Sequence, residues 1–268
     1  MKILYAAAEI SPFARMSHTA DLLRFLPASL QDKGFEIRIL LPKYGSINDR
    51  RNRLHEVIRL AGIEVKVGEQ TESMKIKVAS IPNGKLQVYF LDNDTYYKRK
   101  GLFTDPKDES AFPDNDERIV LYNKGILETV IRLGWKPDII HCHDWPAGLV
   151  PLLVKTVYKD NPLFENTKII YNLHHPENHG IFENDNILNL IGLSDSFDRS
   201  TVLRDGKMDL LYAGLKFSDY VVTGNYLKNE FDPYFKELSI QPTKIQGAPE
   251  DVSNKFADYY RAITGENA

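Results

Sequence analysis

Imidazole, carboxylate, amide and indole side chains crowd three short polar stretches of this 268-residue chain. The stretches are Ser11 to Thr19, His143-Asp144-Trp145-Pro146 and His174-His175-Pro176-Glu177-Asn178-His179; six of the seven histidines lie in or beside them, and only His55 lies outside. Neutral His, Asp, Asn and Trp offer directional hydrogen bonds and a stacking face, which suits a hydroxyl-rich ligand such as a sugar or a sugar nucleotide. His and carboxylates also ligate metals, but there is no zinc-helix pattern and no CxxC, so neither a metal nor another cofactor is expected. Nucleophilic catalysis is the weaker alternative, because Cys142 sits inside an apolar run and no GxSxG elbow occurs. No glycine lies between Met1 and Gly34, so the first loop holds neither a GxGxxG nor a Walker phosphate cradle.

These stretches need elements to hold them. Met1 to Ala8 is nearly continuous in apolar residues, as a buried parallel strand is. A helix opening at His18 or Thr19 carries Leu22, Leu23, Leu26 and Leu30 at helical spacing, and Gly34 ends it. Phe35 to Pro42 is the second strand, completing a β-α-β unit. Ile63–Val67, Met74–Val78 and Leu86–Leu91 read as strands of an antiparallel insertion, with Asn83-Gly84 as its hairpin turn and the last strand rejoining the main sheet. Asp114-Asn115 can cap a helix reaching Leu133. Asp138–Cys142, Lys168–Leu173 and Tyr220–Thr223 are further strands, and helices are expected at Ala147–Tyr158, Ile187–Leu193, Met208–Phe217 and Pro249 to about Ile263. The alternation predicts an α/β fold, a Rossmann-like, doubly wound, mostly parallel sheet with an antiparallel hairpin insertion. No linker or repeat marks a boundary, so one domain over residues 1–268 is expected. Strand carboxyl ends in such a sheet face one way, so His18, His143, His174, His175 and His179 should meet on one rim.

A net charge of −3 excludes a dedicated nucleic-acid binder. The charge clusters at Asn48 to Arg53 and Tyr97 to Lys100 read as solvated loops. One cysteine permits no intramolecular disulfide, the N-terminus is too short in apolar residues for a secretory signal, and no run suggests a membrane helix. A cytoplasmic location is expected.

Ordered motifs along nearly the whole chain resemble those of the glycogen and starch synthases, glucosyltransferases that extend α-1,4-glucan from ADP-glucose. The most specific is Gly134-Trp135-Lys136-Pro137-Asp138-Ile139-Ile140-His141-Cys142-His143-Asp144-Trp145, followed by Ala147-Gly148-Leu149-Val150-Pro151. Pro12-Phe13-Ala14, Pro42-Lys43-Tyr44-Gly45, Gly101-Leu102-Phe103, Asp114-Asn115 with Arg118, His174 and Gly180-Ile181-Phe182 also match in order. The resemblance implies the N-terminal half of a two-domain GT-B fold. It also implies sugar or acceptor contacts at Asp114, Asn115, His143, Asp144 and His174, and a nucleotide-sugar loop at Arg15, Ser17, His18 and Asp21.

Departures accompany the match. The family's Lys-Thr-Gly-Gly loop reads Arg15-Met16-Ser17-His18 here, and the family histidine after Asp-Trp is Pro146, which has no donor. The Asn after the family's next His is His175, and its Tyr-Gln pair is Asn178-His179. The family's second Rossmann-like domain, which supplies most nucleotide contacts, does not begin within these residues. Three functions remain open: a synthase whose second half is supplied elsewhere as a separate chain, a non-catalytic module binding α-glucan or nucleotide sugar, and an interaction protein that pairs with itself or with a full-length synthase. The final helix, with Phe256, Tyr259 and Tyr260, is expected to cover part of the cleft face.

Overall fold

The computed structural model describes residues 1–82, 84–174, 180–183 and 185–266. Asn83 of the hairpin turn and the rim candidates His175, Asn178 and His179 lie outside the described residues.

Thirteen strands and eight α-helices occur among the described residues. The strands are β1 (Lys2–Ala6), β2 (Glu36–Pro42), β3 (His55–Glu56), β4 (Ile63–Val67), β5 (Gln70–Ser80), β6 (Gln87–Asp92), β7 (Ile139–His143), β8 (Lys168–Leu173), β9 (Ile181–Phe182), β10 (Leu203–Arg204), β11 (Lys207–Asp209), β12 (Tyr220–Thr223) and β13 (Thr243–Lys244). The helices are α1 (Thr19–Asp32), α2 (Asp49–Asn52), α3 (Asn115–Leu133), α4 (Leu149–Lys155), α5 (Asn186–Ile191), α6 (Leu210–Phe217), α7 (Asp232–Glu237) and α8 (Pro249–Thr264). The main sheet runs β13-β12-β8-β7-β1-β2-β6-β5-β3, parallel from β13 through β6 and antiparallel beyond, with β4 paired to β5. This is the doubly wound α/β sheet with its antiparallel insertion.

Pleating sends alternate residues of each strand to opposite faces. Leu4, Ala6, Ile140, Cys142, Ile169 and Tyr171 face a core shared with α3, α4 and α6. Ile3, Tyr5, Ile139 and Ile170 face a second core, closed by Leu23, Leu26 and Leu30 of α1 and by Phe256, Ala257 and Tyr260 of α8. Each such fully buried apolar side chain contributes about 1.5–3 kcal/mol, so the two helical layers are bound by many contacts rather than by any one. Gly214 of α6 shows how close the layers lie, since a Cβ there would come within 2.3 Å of the Tyr171 ring.

Several local expectations are corrected. The helix expected over Ala147–Tyr158 is a 3₁₀ turn at Trp145–Ala147 followed by the short α4. The small sheet β10-β11-β9 was not legible, because strands of two or three residues carry no periodicity. Asn48 to Arg53 is not a loop but the short α2, which Asn48 caps by accepting from the Arg51 amide at 2.8 Å. In the second charge cluster Tyr97 is buried and Arg99 is ion-paired, so it is not simply solvated. Asp114 precedes α3 but makes no capping hydrogen bond. Finally, α8 lies against α1 and the sheet face rather than over the cleft; only its start, at Pro249 and Val252, approaches the rim beside His18. Among the described residues no helix is long and apolar enough to cross a membrane.

Candidate functional site

The loops after β1, β7 and β8 converge because those strands are parallel neighbours in the order β8-β7-β1. A cleft of about 400 Å³ opens there, lined by Glu9, Met16, Ser17 and Thr19 on one side, His143, Asp144, Trp145 and Pro146 on another, and Gly101, Leu102, Phe103 and Thr104 on a third.

Asp144 joins the three loops. Its buried carboxylate accepts from the Thr19 hydroxyl at 2.6 Å and from the His174 amide at 3.2 Å, and its carbonyl accepts from the Tyr171 hydroxyl at 2.8 Å. The backbone at Asp144 has φ 52° and ψ −174°, a region that L-residues almost never occupy. The surrounding bonds hold it there.

The first loop is organised by Glu9, which the sequence reading passed over as a site residue. Its carboxylate accepts from the amides of Met16 at 2.6 Å and Ser17 at 2.8 Å and from the Ser17 hydroxyl at 2.6 Å. The available signal was an acidic residue directly after a buried strand. Ser17 in turn accepts from the Thr19 amide at 3.0 Å. Arg15 lies outside this arrangement, in an exposed pair with Asp21 at 2.8 Å, and Asp21 also accepts from Ser11. Such an exposed pair contributes little to stability.

Two further expected residues hold structure. Asp114 forms a bidentate ion pair with Arg99 and does not line the cleft. Asn115 donates to the Phe103 carbonyl at 2.8 Å and accepts from Arg118 at 2.8 Å. Arg118, buried and stacked near Phe112 and Phe103, also donates to the Tyr96 carbonyl at 3.0 Å, so the loop forming the third cleft wall is anchored on α3. Phe103 packs on Trp145 with ring centroids 4.5 Å apart, and Gly180 (φ 65°) leaves room for that indole, since a Cβ there would come within 2.6 Å of it.

The described histidines divide. His174 is buried, its ring against Gly224, where a Cβ would come within 2.0 Å of Nδ1. Tyr226, not anticipated, lies between His174 (5.4 Å, edge-on) and His18 (4.4 Å, stacked). So His18, His143 and His174 do share one rim. His141, beside the second polar stretch, lies in the core instead of on the rim: it is fully buried beneath α8, its Nδ1 2.6 Å from the Tyr260 hydroxyl, which lies 2.8 Å from that of Tyr5. His143 is almost as buried and stacks on Tyr5 at 5.6 Å, and among the described residues neither of its ring nitrogens has a hydrogen-bond partner. Among the described residues no three His, Cys, Asp or Glu side chains converge to hold a metal.

Burial pushes the His141 imidazole down to about 3 and holds His143 well below its ordinary value, with His141 and His174 adding to the effect. Both are therefore neutral in the folded chain at pH 5.5, whereas the unfolded chain protonates them below about 6.5. The unfolded state then binds more protons, so this contribution to stability is complete above pH 6.5 and is lost as pH falls below it. Over pH 7 to 5.5 the two imidazoles remove about 2–3 kcal/mol, opposed by Glu117, whose carboxyl the Asp116 hydrogen bond and burial push up to about 7 and which gains stability as pH falls. In urea unfolding His141→Gln should therefore lose about 1 kcal/mol less than the parent between pH 7 and pH 5.5, and an identical pH dependence in the two proteins would refute the assignment.

With the fold and cleft in view, comparison with known proteins places the chain. Residues 2–239 match the family described as starch synthase catalytic domain. The chain is 45% identical over 227 residues to a glycogen synthase of Chlorobium limicola, covering 84% of this chain and 46% of that protein. A glycogen synthase of Pelodictyon phaeoclathratiforme is 42% identical over 264 residues, covering 98% of this chain and 52% of that one. Among solved structures, the catalytic domain of starch synthase IV from Arabidopsis thaliana bound to ADP and acarbose superposes with a TM-score of 0.74 at 23% identity, over 91% of this chain and 51% of that chain. The chain belongs to the starch synthase catalytic-domain family. It spans about half the length of the curated relatives it matches.

Proposed function

We propose that these 268 residues form the sugar-binding half of a glucosyltransferase cleft, and that turnover requires a second Rossmann-like unit facing it, on the same or another polypeptide. The observation that carries this reading is the 400 Å³ cleft walled by Trp145 and Phe103, with the Asp144 carboxylate on its lining tied to Thr19 and to the amide of His174, which borders the neighbouring pocket with His18 and Tyr226. Aromatic faces stack on sugar rings, and a fixed rim of polar groups orients hydroxyls. The relative from Arabidopsis was obtained with ADP and acarbose, which makes an oligosaccharide the first ligand to try. Within this reading Asp144 and His143 are the sugar-side groups on the cleft lining, and His174 bears on them through its amide bond to the Asp144 carboxylate. In this reading the diphosphate is met by that second unit, since the loop at Ser17-His18 has no glycine for close backbone approach to it.

Titration with maltohexaose and with ADP-glucose, each alone, tests it. Maltohexaose should give saturable heat and change the fluorescence of Trp145, whereas ADP-glucose should bind much more weakly. Trp145→Ala should abolish the maltohexaose response. Absence of saturable binding, or binding unchanged by that substitution, would refute the reading. A pairing role for the same rim is favoured by the half-exposed Ile181 and Tyr226, which an opposing domain would cover.

A further inference from the structure

The arginines of α2 and its turn are not used by the cleft, yet they border a cavity of their own. It measures about 610 Å³ and lies between α2, the edge strand β3 and the β5–β6 hairpin. Arg51 and Arg53 supply its charged side, His55, Ser80 and Gln87 polar walls, and Phe13 an apolar floor braced edge-on against Phe90 at 5.0 Å. It shares no lining residue with the cleft.

Two observations point to an anion there. First, among the described residues neither Arg51 nor Arg53 forms an ion pair. The nearest acid in sequence, Asp49, is already held by Lys43 at 2.8 Å and Lys77 at 2.7 Å, so it does not neutralise them. Second, the turn that presents the arginines is built rather than frayed. Asn48 caps α2, Arg53 is held at φ 52°, and the Leu54 amide donates to the Asp49 carbonyl at 2.9 Å. The β3 ladder stops at His55 opposite Val78, so among the described residues no strand pairs with the outer edge of β5 at Ala79 and Ser80, which line the cavity.

We infer that this cavity binds a phosphomonoester carried on a small hydroxylated molecule. A phosphate bears close to two negative charges and three acceptor oxygens, which two guanidinium forks and an imidazole match. Ser80 and Gln87 offer donors and acceptors to hydroxyls, and the volume suits a compact metabolite. A nucleic acid fits poorly to a chain whose net charge is −3. The inference is independent of the proposed sugar cleft. Phe13 nevertheless belongs to the same loop as Met16 and Ser17, so an occupant would touch the segment that forms one cleft wall.

The test is calorimetry of the intact chain with ribose 5-phosphate, inorganic phosphate and ribose, all at constant ionic strength. Ribose 5-phosphate should saturate and bind more tightly than inorganic phosphate, and ribose should give no heat. In a double variant, Arg51→Ala with Arg53→Asn, affinity should fall by about thirtyfold or more. Asn tolerates the left-handed backbone at position 53, so the unliganded melting temperature should be unchanged. Binding that survives in the double variant but is lost in Thr19→Val would place the phosphate in the cleft and overturn the proposal. A response equalled by sodium chloride would overturn it as well, and equal affinity for inorganic phosphate would overturn the role of the hydroxyl wall.

Discussion

Incubated with ADP-glucose and a maltooligosaccharide, a polypeptide of these 268 residues will incorporate no measurable glucose. Transfer requires the diphosphate leaving group, the donor glucose and the acceptor hydroxyl to be held in register, and such positioning is worth about 7–11 kcal/mol. The structure offers walls to a sugar from three loops, and among the described residues no cluster of cations faces them; of the described residues lining the cleft only Lys100 carries a positive charge. Losing even ~4 kcal/mol of leaving-group stabilisation slows a step about a thousandfold. Pro146 contributes no side-chain donor, and the Ser17 amide and hydroxyl are already committed to Glu9. These losses act on separate contacts, so Pro146→His combined with Ser17→Gly and His18→Gly should leave the chain inactive. Radiolabelled glucose incorporation by the purified chain, abolished by Asp144→Ala, would overturn the expectation. Incorporation that appears only when a separately produced second half is added would establish that the opposing wall was the missing part.

The second large effect is on stability, at Asp144. Replacing it with Ala removes the acceptor for the Thr19 hydroxyl and the His174 amide while leaving the backbone in its unfavourable region. Two hydrogen bonds to a carboxylate are worth about 3–4 kcal/mol together when their donors are left buried. A loss of that size should lower the melting temperature by about 10 °C for a chain of this length. Asp144→Gly loses the same bonds but relieves the strained φ, so it should be more stable than Asp144→Ala by about 1–2 kcal/mol, although Gly ordinarily weakens a fold. Chemical denaturation of the three proteins gives the ranking directly. If Ala proves as stable as Gly, the backbone strain is not real; if both match the parent, the carboxylate does not hold the loops together.

Much of the architecture was legible because it is written locally. Apolar runs at Ile3–Ala8 and Ile169–Leu173, helical spacing from Leu23 to Leu30 and the hairpin pattern before Leu86 each reside within a dozen residues, and all appear as elements of the sheet and its covering layers. The ordered motifs around Trp135 to Trp145 also carried the family, since their residue types and order need no coordinates to be compared. The rim position of His18, His143 and His174 followed from one topological rule, that parallel strands end on the same side.

What the sequence could not reveal is decided by groups far apart in the chain. Strand parity alone left His141 facing either way, and the packing of α8, 119 residues later, turned it into the core against Tyr260. Asp114 had the position and chemistry of a helix cap, but a guanidinium 15 residues earlier offered its carboxylate two charge-assisted bonds instead of one neutral amide. Asp144 bonds Thr19 across 125 residues and His174 across 30, distances over which no propensity operates. The same holds for Arg51 and Arg53: their charge is plain in the sequence, but whether an acid lies within reach depends on Lys43 and Lys77 having taken Asp49 first. Local propensity set which elements form; competition among distant charged and polar groups for a limited number of partners set what each side chain does.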